Sequence, residues 1–237
     1  MIIDPSGWAE RLGGLTRWRR WLAAFGFGGL AAATLPPVGL VFVLVPAFTG
    51  LLWLIGRTCW RGAAATGWWF GLGHFSAGLY WVGSAFFVDA ALYGWLAPFA
   101  VLGLAAGLAL FPAIILTMTH GFCRRHQPTD WACALVLAVL WTLGEWLRGQ
   151  ILTGFPWNLI GTVWVVSDAM VQTAAWIGVF GLSMLTVMAS ALPVVLARGM
   201  AARNWAVALS GVAVMIFLWA GGQARLAQTE MAADAPM

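Results

Sequence analysis

Residues 95–119 read WLAPFAVLGLAAGLALFPAIILTMT, an unbroken apolar run without one charged side chain. As a helix rising about 1.5 Å per residue, such a run crosses the ~30 Å hydrocarbon core of a bilayer with residues to spare. A transmembrane barrel strand would instead alternate polar and apolar positions over about ten residues. Backbone groups in lipid are satisfied only within helices or a closed barrel, so this run predicts a spanning helix. Working outward, further apolar runs cover 131–147, 171–197 and 204–221 on the C-terminal side, and 63–88, 38–55 and 21–35 on the N-terminal side. Composition agrees: 62% of residues are hydrophobic, 8% are charged and the mean hydropathy is +0.88. A soluble domain carries roughly 25% charged residues. The expected fold is all-α, a polytopic transmembrane bundle of about seven spans at 21–222, with a leader at 1–20 and a polar tail at 223–237.

The leader and the run after it mimic a signal peptide, but no small-x-small cleavage site precedes a polar domain. Pro36 and Pro37 instead end a first helix by removing backbone donors. All twelve basic residues are arginine. With the N-terminus in the cytoplasm, Arg11, Arg17, Arg19, Arg20, Arg57, Arg61, Arg124, Arg125, Arg198 and Arg203 lie inside, and only Arg148 and Arg225 outside. That asymmetry is the one the positive-inside rule demands. Asp89, Asp168, Glu230 and Asp234 fall on the outer side, so the C-terminus is expected in the periplasm and the chain in a bacterial inner membrane. Trp18, Trp21, Trp60, Trp68, Trp131 and Trp205 sit at proposed inner ends, where an apolar ring with a polar N–H favours the interface. The net charge of +4 and pI near 9.6 come from these dispersed arginines. They form no phosphate-binding face, and nucleic acid is not an expected partner.

Few residues are candidates for chemistry. In WTLGEWLRGQILTGFPW (141–157), Glu145 and Arg148 are three apart, share one face of a helix and are placed to pair. The chain leaves the helix at Gly154, Phe155, Pro156 and Trp157, because Pro156 disfavours helical dihedrals at Phe155. An aromatic, non-helical loop at headgroup depth suits a lipid or acylated substrate. The same residues also fit a plain helix-end anchor with Trp157 at the interface. A second cluster, from Gly71, Gly73 and His74 to Gly78, Tyr80 and Trp81, lies in the third run. His74 there reads either as a proton carrier or as a histidine satisfied by a neighbouring helix. His120 and His126 are expected in the loop at 120–130. Gly67 with Gly71, and Gly103 with Gly107, are spaced for close helix contacts. Cys59, Cys123 and Cys133 show no metal spacing and read as free thiols near a reducing cytoplasm. No metal or cofactor is expected.

The stretch Glu145-Trp-Leu-Arg148-Gly, then Leu152-Thr-Gly-Phe-Pro-Trp157, the Gly71–Trp81 block and the Pro36-Pro37 turn together resemble the membrane domain of the apolipoprotein N-acyltransferases. The resemblance covers essentially the whole chain. It implies the last step of bacterial lipoprotein maturation, in which phospholipid donates an acyl group to the α-amino group of a diacylglyceryl-cysteine. It also implies a periplasmic nitrilase-like domain with a Glu-Lys-Cys triad, whose cysteine carries the acyl group as a thioester. Here the chain departs from the family. It holds no lysine, its cysteines fall toward the cytoplasmic side, and it reaches Met237 where that domain is expected to begin. No catalytic residue is assigned, and the chain alone is expected to be inactive. Glu145, Arg148, Phe155, Pro156, Trp157, His74 and Trp81 are the candidate lipid-binding residues, with Arg148 a candidate for a lipid phosphate. The expected partners are membrane phospholipid, the lipoprotein substrate and a separate nitrilase-domain chain. The alternative is a stand-alone transporter or lipid-binding membrane protein, although only His74 lies deep and no second half mirrors the first.

Overall fold

A computed structural model of the chain describes residues 4–151 and 153–233. Helix dominates, and there is no strand among the described residues. The leader is more ordered than a polar lead-in would be. Asp4 caps α1 (Pro5–Gly13) by accepting from the Gly7 N–H at 3.1 Å, and α1 packs on α3 (Leu44–Gly56). Between them α2 (Arg17–Ala32) ends just before the proline pair, and a 310 turn (Val41–Val43) leads into α3.

α4 (Trp60–Gly78) is central, packing against α2 on one side and against α6 (Ala97–Leu108) and α7 (Leu110–His126) on the other. The run at 63–88 is not one α-helix. It tightens after Gly78 into a 310 segment, Tyr80–Phe87, within which the Ser84 hydroxyl donates to Trp81 O at 2.6 Å, and a short α5 (Ala90–Tyr93) follows. A hydroxyl bonding three residues back favours the tighter helix over the four-residue ladder. α6 and α7 are separated only by Ala109, whose dihedrals stay right-handed. The helix expected to end near Thr119 runs on to Gln127, a left-handed cap at φ 45°. His120 and His126 therefore lie on α7 and not in a loop. α8 (Asp130–Gln150) is followed by an irregular loop and a 310 segment, Ile160–Val166. The chain then forms α9 (Asp168–Gln172), α10 (Ala174–Ala191) with a break at Gly178, a 310 stretch (Leu192–Arg198) and α11 (Ala202–Ala233). The tail expected from 223 is thus helical to 233. Glu230's side chain, Asp234 and Leu152 lie outside the described residues.

Four helical stretches are long and apolar enough to cross a membrane: Ala90–His126, Asp130–Gln150, Ala174–Arg198 and Ala202–Gln228. The other predicted runs are also helical, as α2, the apolar Val41–Gly56 and α4, but these are shorter or richer in glycine and tryptophan. The core is aromatic at its centre. Trp141 of α8 meets Phe48 of α3 edge-on at 4.9 Å and Phe70 of α4 at 5.7 Å. Helices approach closely where glycine permits it. A Cβ at Gly28 would collide with Phe70 O, one at Gly73 with Phe25 O, and one at Gly67 with Pro112 O. Gly71 abuts Ala109 in the same way. At Gly103 and Gly107, identical in spacing, a Cβ would enter open space. Outward-facing apolar side chains such as Phe217, 76% exposed, belong on a lipid-facing surface.

The thiols depart from the free-cysteine reading. Cys123 and Cys133 form a disulfide joining the end of α7 to the start of α8, leaving Cys59 free and exposed.

Candidate functional site

The last two turns of α8 carry Glu145 and Arg148 on one face, both buried, at 4% and 3% exposure. Burying two ionisable groups is tolerable only where their polar atoms find partners. The expected partner of each was the other. Instead each one binds the loop that follows. Arg148 Nη1 donates to Phe155 O at 3.1 Å and to Trp157 O at 2.6 Å, and its guanidinium lies 5.2 Å from the Phe75 ring centre. Glu145 Oε1 accepts from the Ile160 N–H at 2.8 Å and from Trp141 Nε1 at 3.1 Å. Among the described residues the recorded ion pair is Arg198 with Asp130, far along α8. Two consequences correct the sequence reading. Glu145 and Arg148 do not pair directly, and the Arg148 guanidinium spends Nη1 on two carbonyls of the loop.

The loop is shaped to receive these bonds. Phe155 N–H donates back to Arg148 O at 2.8 Å, and Gly154, at φ 81°, makes the sharp reversal that an L side chain resists. Asn158 also takes a left-handed conformation, φ 57°, one that Asn tolerates better than most residues. Gly161 N–H then donates to Ser183 Oγ at 2.7 Å, seating the following 310 segment against α10. Phe155 turns inward and packs beside Phe75 and Leu79. Pro156 and Trp157 are left exposed, and Trp157 meets Trp81 edge-on at 5.6 Å.

The seven candidate residues therefore converge on one end of the bundle, at two depths. Trp81, Pro156 and Trp157 edge a groove of about 760 Å3 whose far wall is the Pro36-Pro37 turn with Leu35 and Val38. His74, Glu145 and Arg148 lie beneath it around a small cavity. His74 is 1% exposed and stands between Phe70 and Phe75, so it is not a rim residue. Asn158, which sequence reasoning passed over, lines both the groove and the cavity. Its position directly after Trp157, in a segment rich in Gly and Pro, was the available signal for a left-handed turn residue.

The opposite end differs in chemistry. Arg20 Nη1 donates to Thr58 Oγ1 at 2.9 Å, and Arg124 Nη1 to Thr58 O at 3.4 Å. Arg17, Arg19 and Arg61 lie 5.0–5.3 Å from the ring centres of Trp21, Trp18 and Trp60. A cavity of about 590 Å3 there is lined by His120, Arg124, Arg198 and the Cys123–Cys133 pair. The exposed Cys59 thiol is held below its ordinary pKa, first by the Gly62 backbone N–H at the start of α4. No group of three or more metal-ligating side chains gathers among the described residues.

Residues 27–192 match the family described as the apolipoprotein N-acyltransferase N-terminal domain. The apolipoprotein N-acyltransferase of Rhodopseudomonas palustris is 40% identical over 217 residues, covering 88% of this chain and 40% of that protein. The Brucella suis protein of the same name is 40% identical over 214 residues, covering 86% of this chain and 38% of its own length. That of Bradyrhizobium diazoefficiens is 41% identical over 230 residues, 93% of this chain and 42% of its own. The chain spans about two-fifths of the length of these curated relatives.

Proposed function

This chain belongs to the apolipoprotein N-acyltransferase family through its N-terminal domain, and from that premise we propose that it is the membrane-embedded part of a phospholipid-dependent acyltransferase acting on lipoproteins. In this reading seven helical segments cross the inner membrane with the N-terminus inside. The gathering of Arg17, Arg19, Arg20, Arg61 and Arg124 around Thr58 and neighbouring tryptophans at one end supports that orientation. Trp81, Trp157 and the groove then face the periplasmic side, where the family's reaction joins an acyl group to a diacylglyceryl-cysteine.

The observation that carries the proposal is the groove itself. Its walls are mainly apolar, with Trp81 and Trp157 at its edge and few polar side chains, among them Asn158 and Thr162. The Thr162 hydroxyl is already bonded to Leu159 O at 2.6 Å. An acyl chain entering from lipid leaves one apolar medium for another, so hydrophobic transfer supplies little drive. Close packing against a shaped wall supplies the selectivity instead. The groove's work is therefore positioning: it holds a lipid tail so that the ester lies at the aromatic edge. Glu145 and Arg148 act indirectly, by fixing the loop that carries Pro156 and Trp157. The 237 residues contain no lysine, so the implied Glu-Lys-Cys chemistry is not supplied by them, and these residues alone should bind lipid without transferring its acyl group.

A phospholipid bearing a photoactivatable acyl tail tests the reading in reconstituted vesicles. Cross-links are expected at Pro36–Val38, Trp81 and Pro156–Trp157, and Trp157→Ala should deplete them. Cross-links spread evenly over the exposed face of α11 would overturn the assignment.

A further inference from the structure

Beneath the groove, three buried polar atoms make no hydrogen bond of good geometry within the protein: His74 Nδ1, Asn158 Nδ2 and Glu145 Oε2, although the Ser183 hydroxyl stands near the Glu145 carboxyl group. They belong to three separate elements, α4, α8 and the loop after α8. His74, Glu145, Asn158 and Arg148 also line one small cavity, together with Phe75, Phe111, Pro112, Ile115, Trp141 and Gly144. Its volume of about 10 Å3 is close to the smallest space that admits one water molecule. Unpaired buried polar atoms cost about 1–3 kcal/mol each. The three residues that carry them line a single water-sized space.

We infer that this cavity binds one internal water, which donates to Glu145 Oε2 and His74 Nδ1 and accepts from Asn158 Nδ2–H, tying α4 and α8 to the loop that floors the groove. The chemistry of the lining selects the occupant. A metal cation would face the Arg148 guanidinium and the amide donor of Asn158. An anion would face the Glu145 carboxylate. A neutral molecule with two donors and an acceptor matches two acceptor atoms and one donor, and only water is small enough. Three hydrogen bonds is also the usual number for an internal water. The placement of Asn158 gives this water a mechanical role. Its Nδ2 occupies the space that a Cβ on Gly78 would take, and the same residue lines the groove above. The water thus holds the Asn158 amide and, through it, the groove's floor.

This inference goes beyond the lipid-handling proposal and does not rest on it, since its readouts need no lipid. The direct test is a structure of the full chain in a lipid mesophase, at a resolution that shows ordered solvent. Density within hydrogen-bond distance of all three atoms is expected. A void without density, or the three atoms turned to protein partners, would overturn the inference. Melting in detergent tests it a second way. His74→Phe fills space among Phe70 and Phe75 but removes an acceptor, whereas His74→Asn keeps an acceptor near the position of Nδ1. With a bridging water, His74→Phe lowers the melting temperature and His74→Asn recovers part of the loss. With a dry cavity the order reverses, because Phe then replaces an unpaired polar atom with apolar contact.

Discussion

At the scale of single residues, Arg148 shows how far spacing alone carries an argument. The three-residue offset from Glu145 places both side chains on one face of α8, and that much is legible in sequence. Their partners are not, because backbone carbonyls and amides of a loop have no signature in residue type. Arg148 binds Phe155 O and Trp157 O, and Glu145 binds Ile160 N–H. Arg148→Ala should therefore act by releasing the loop. It strands two carbonyls, at about 1–3 kcal/mol for each buried group left unpaired. We expect a lower melting temperature in detergent together with new protease cleavage between 151 and 159. Arg148→Lys should recover only part of this, since one ammonium lacks the rigid guanidinium fork. Arg203→Ala, at an exposed position on α11, should leave both readouts unchanged. Equal losses from Arg148→Ala and Arg203→Ala would show that the clamp contributes nothing specific. Trp157→Ala should separate the two layers of the site, weakening the lipid cross-link while melting stays near that of the parent, because Trp157 is 55% exposed.

Among the elements, hydropathy identified the longest helices and missed how several of them end. The run at 95–119 is apolar throughout, and helical segments cover it with one break, at Ala109. The run at 63–88 is also apolar, yet it divides at Gly78 into α4 and a 310 segment. Hydropathy cannot distinguish three residues per turn from 3.6, so the 310 segments Tyr80–Phe87, Ile160–Val166 and Leu192–Arg198 have no sequence signal of that kind. The glycine pairs make the same point about contacts. Gly67 and Gly71 pack against Pro112 and Ala109, whereas a Cβ added at Gly103 or Gly107 would meet nothing within 4 Å. The spacing is the same and only the facing helix differs. Gly71→Ala should consequently force α4 and α7 apart and lower the melting temperature. Gly103→Ala adds a methyl in open space and replaces the poorest non-proline helix former, which favours the helix by about 1 kcal/mol. Its melting temperature should hold or rise. A fall as large as that of Gly71→Ala would mean that Gly103 contacts a surface beyond this chain.

For the whole molecule, the question is which end faces the cytosol, and the cysteines answer it independently of any lipid assay. Asp130 and Gln150 bound a helix of 21 residues, about 30 Å from end to end, long enough for the two ends of α8 to reach opposite sides of a bilayer. In the orientation we propose, the Arg20–Thr58–Arg124 end is cytoplasmic, and Cys59 lies there exposed. The Gly62 N–H lowers its thiol pKa, so more of it is thiolate at neutral pH, and its labelling rate should rise with pH through a midpoint below that of an ordinary thiol. A membrane-impermeant maleimide should label Cys59 in inverted vesicles and leave it untouched in intact spheroplasts. Cys123 and Cys133 provide a second reading from the same experiment. The structure joins them, yet a cytosolic loop sits in a compartment that keeps thiols reduced. Protein trapped by acid in living cells and then unfolded should therefore carry three reactive thiols. The same protein oxidised after purification should carry one, Cys59. If acid-trapped protein carries one thiol and Cys59 labels from the outside, the arginines lie on the periplasmic face. The groove at Trp81 and Trp157 would then open toward the cytosol, and an acyltransferase role on the periplasmic side could not be sustained.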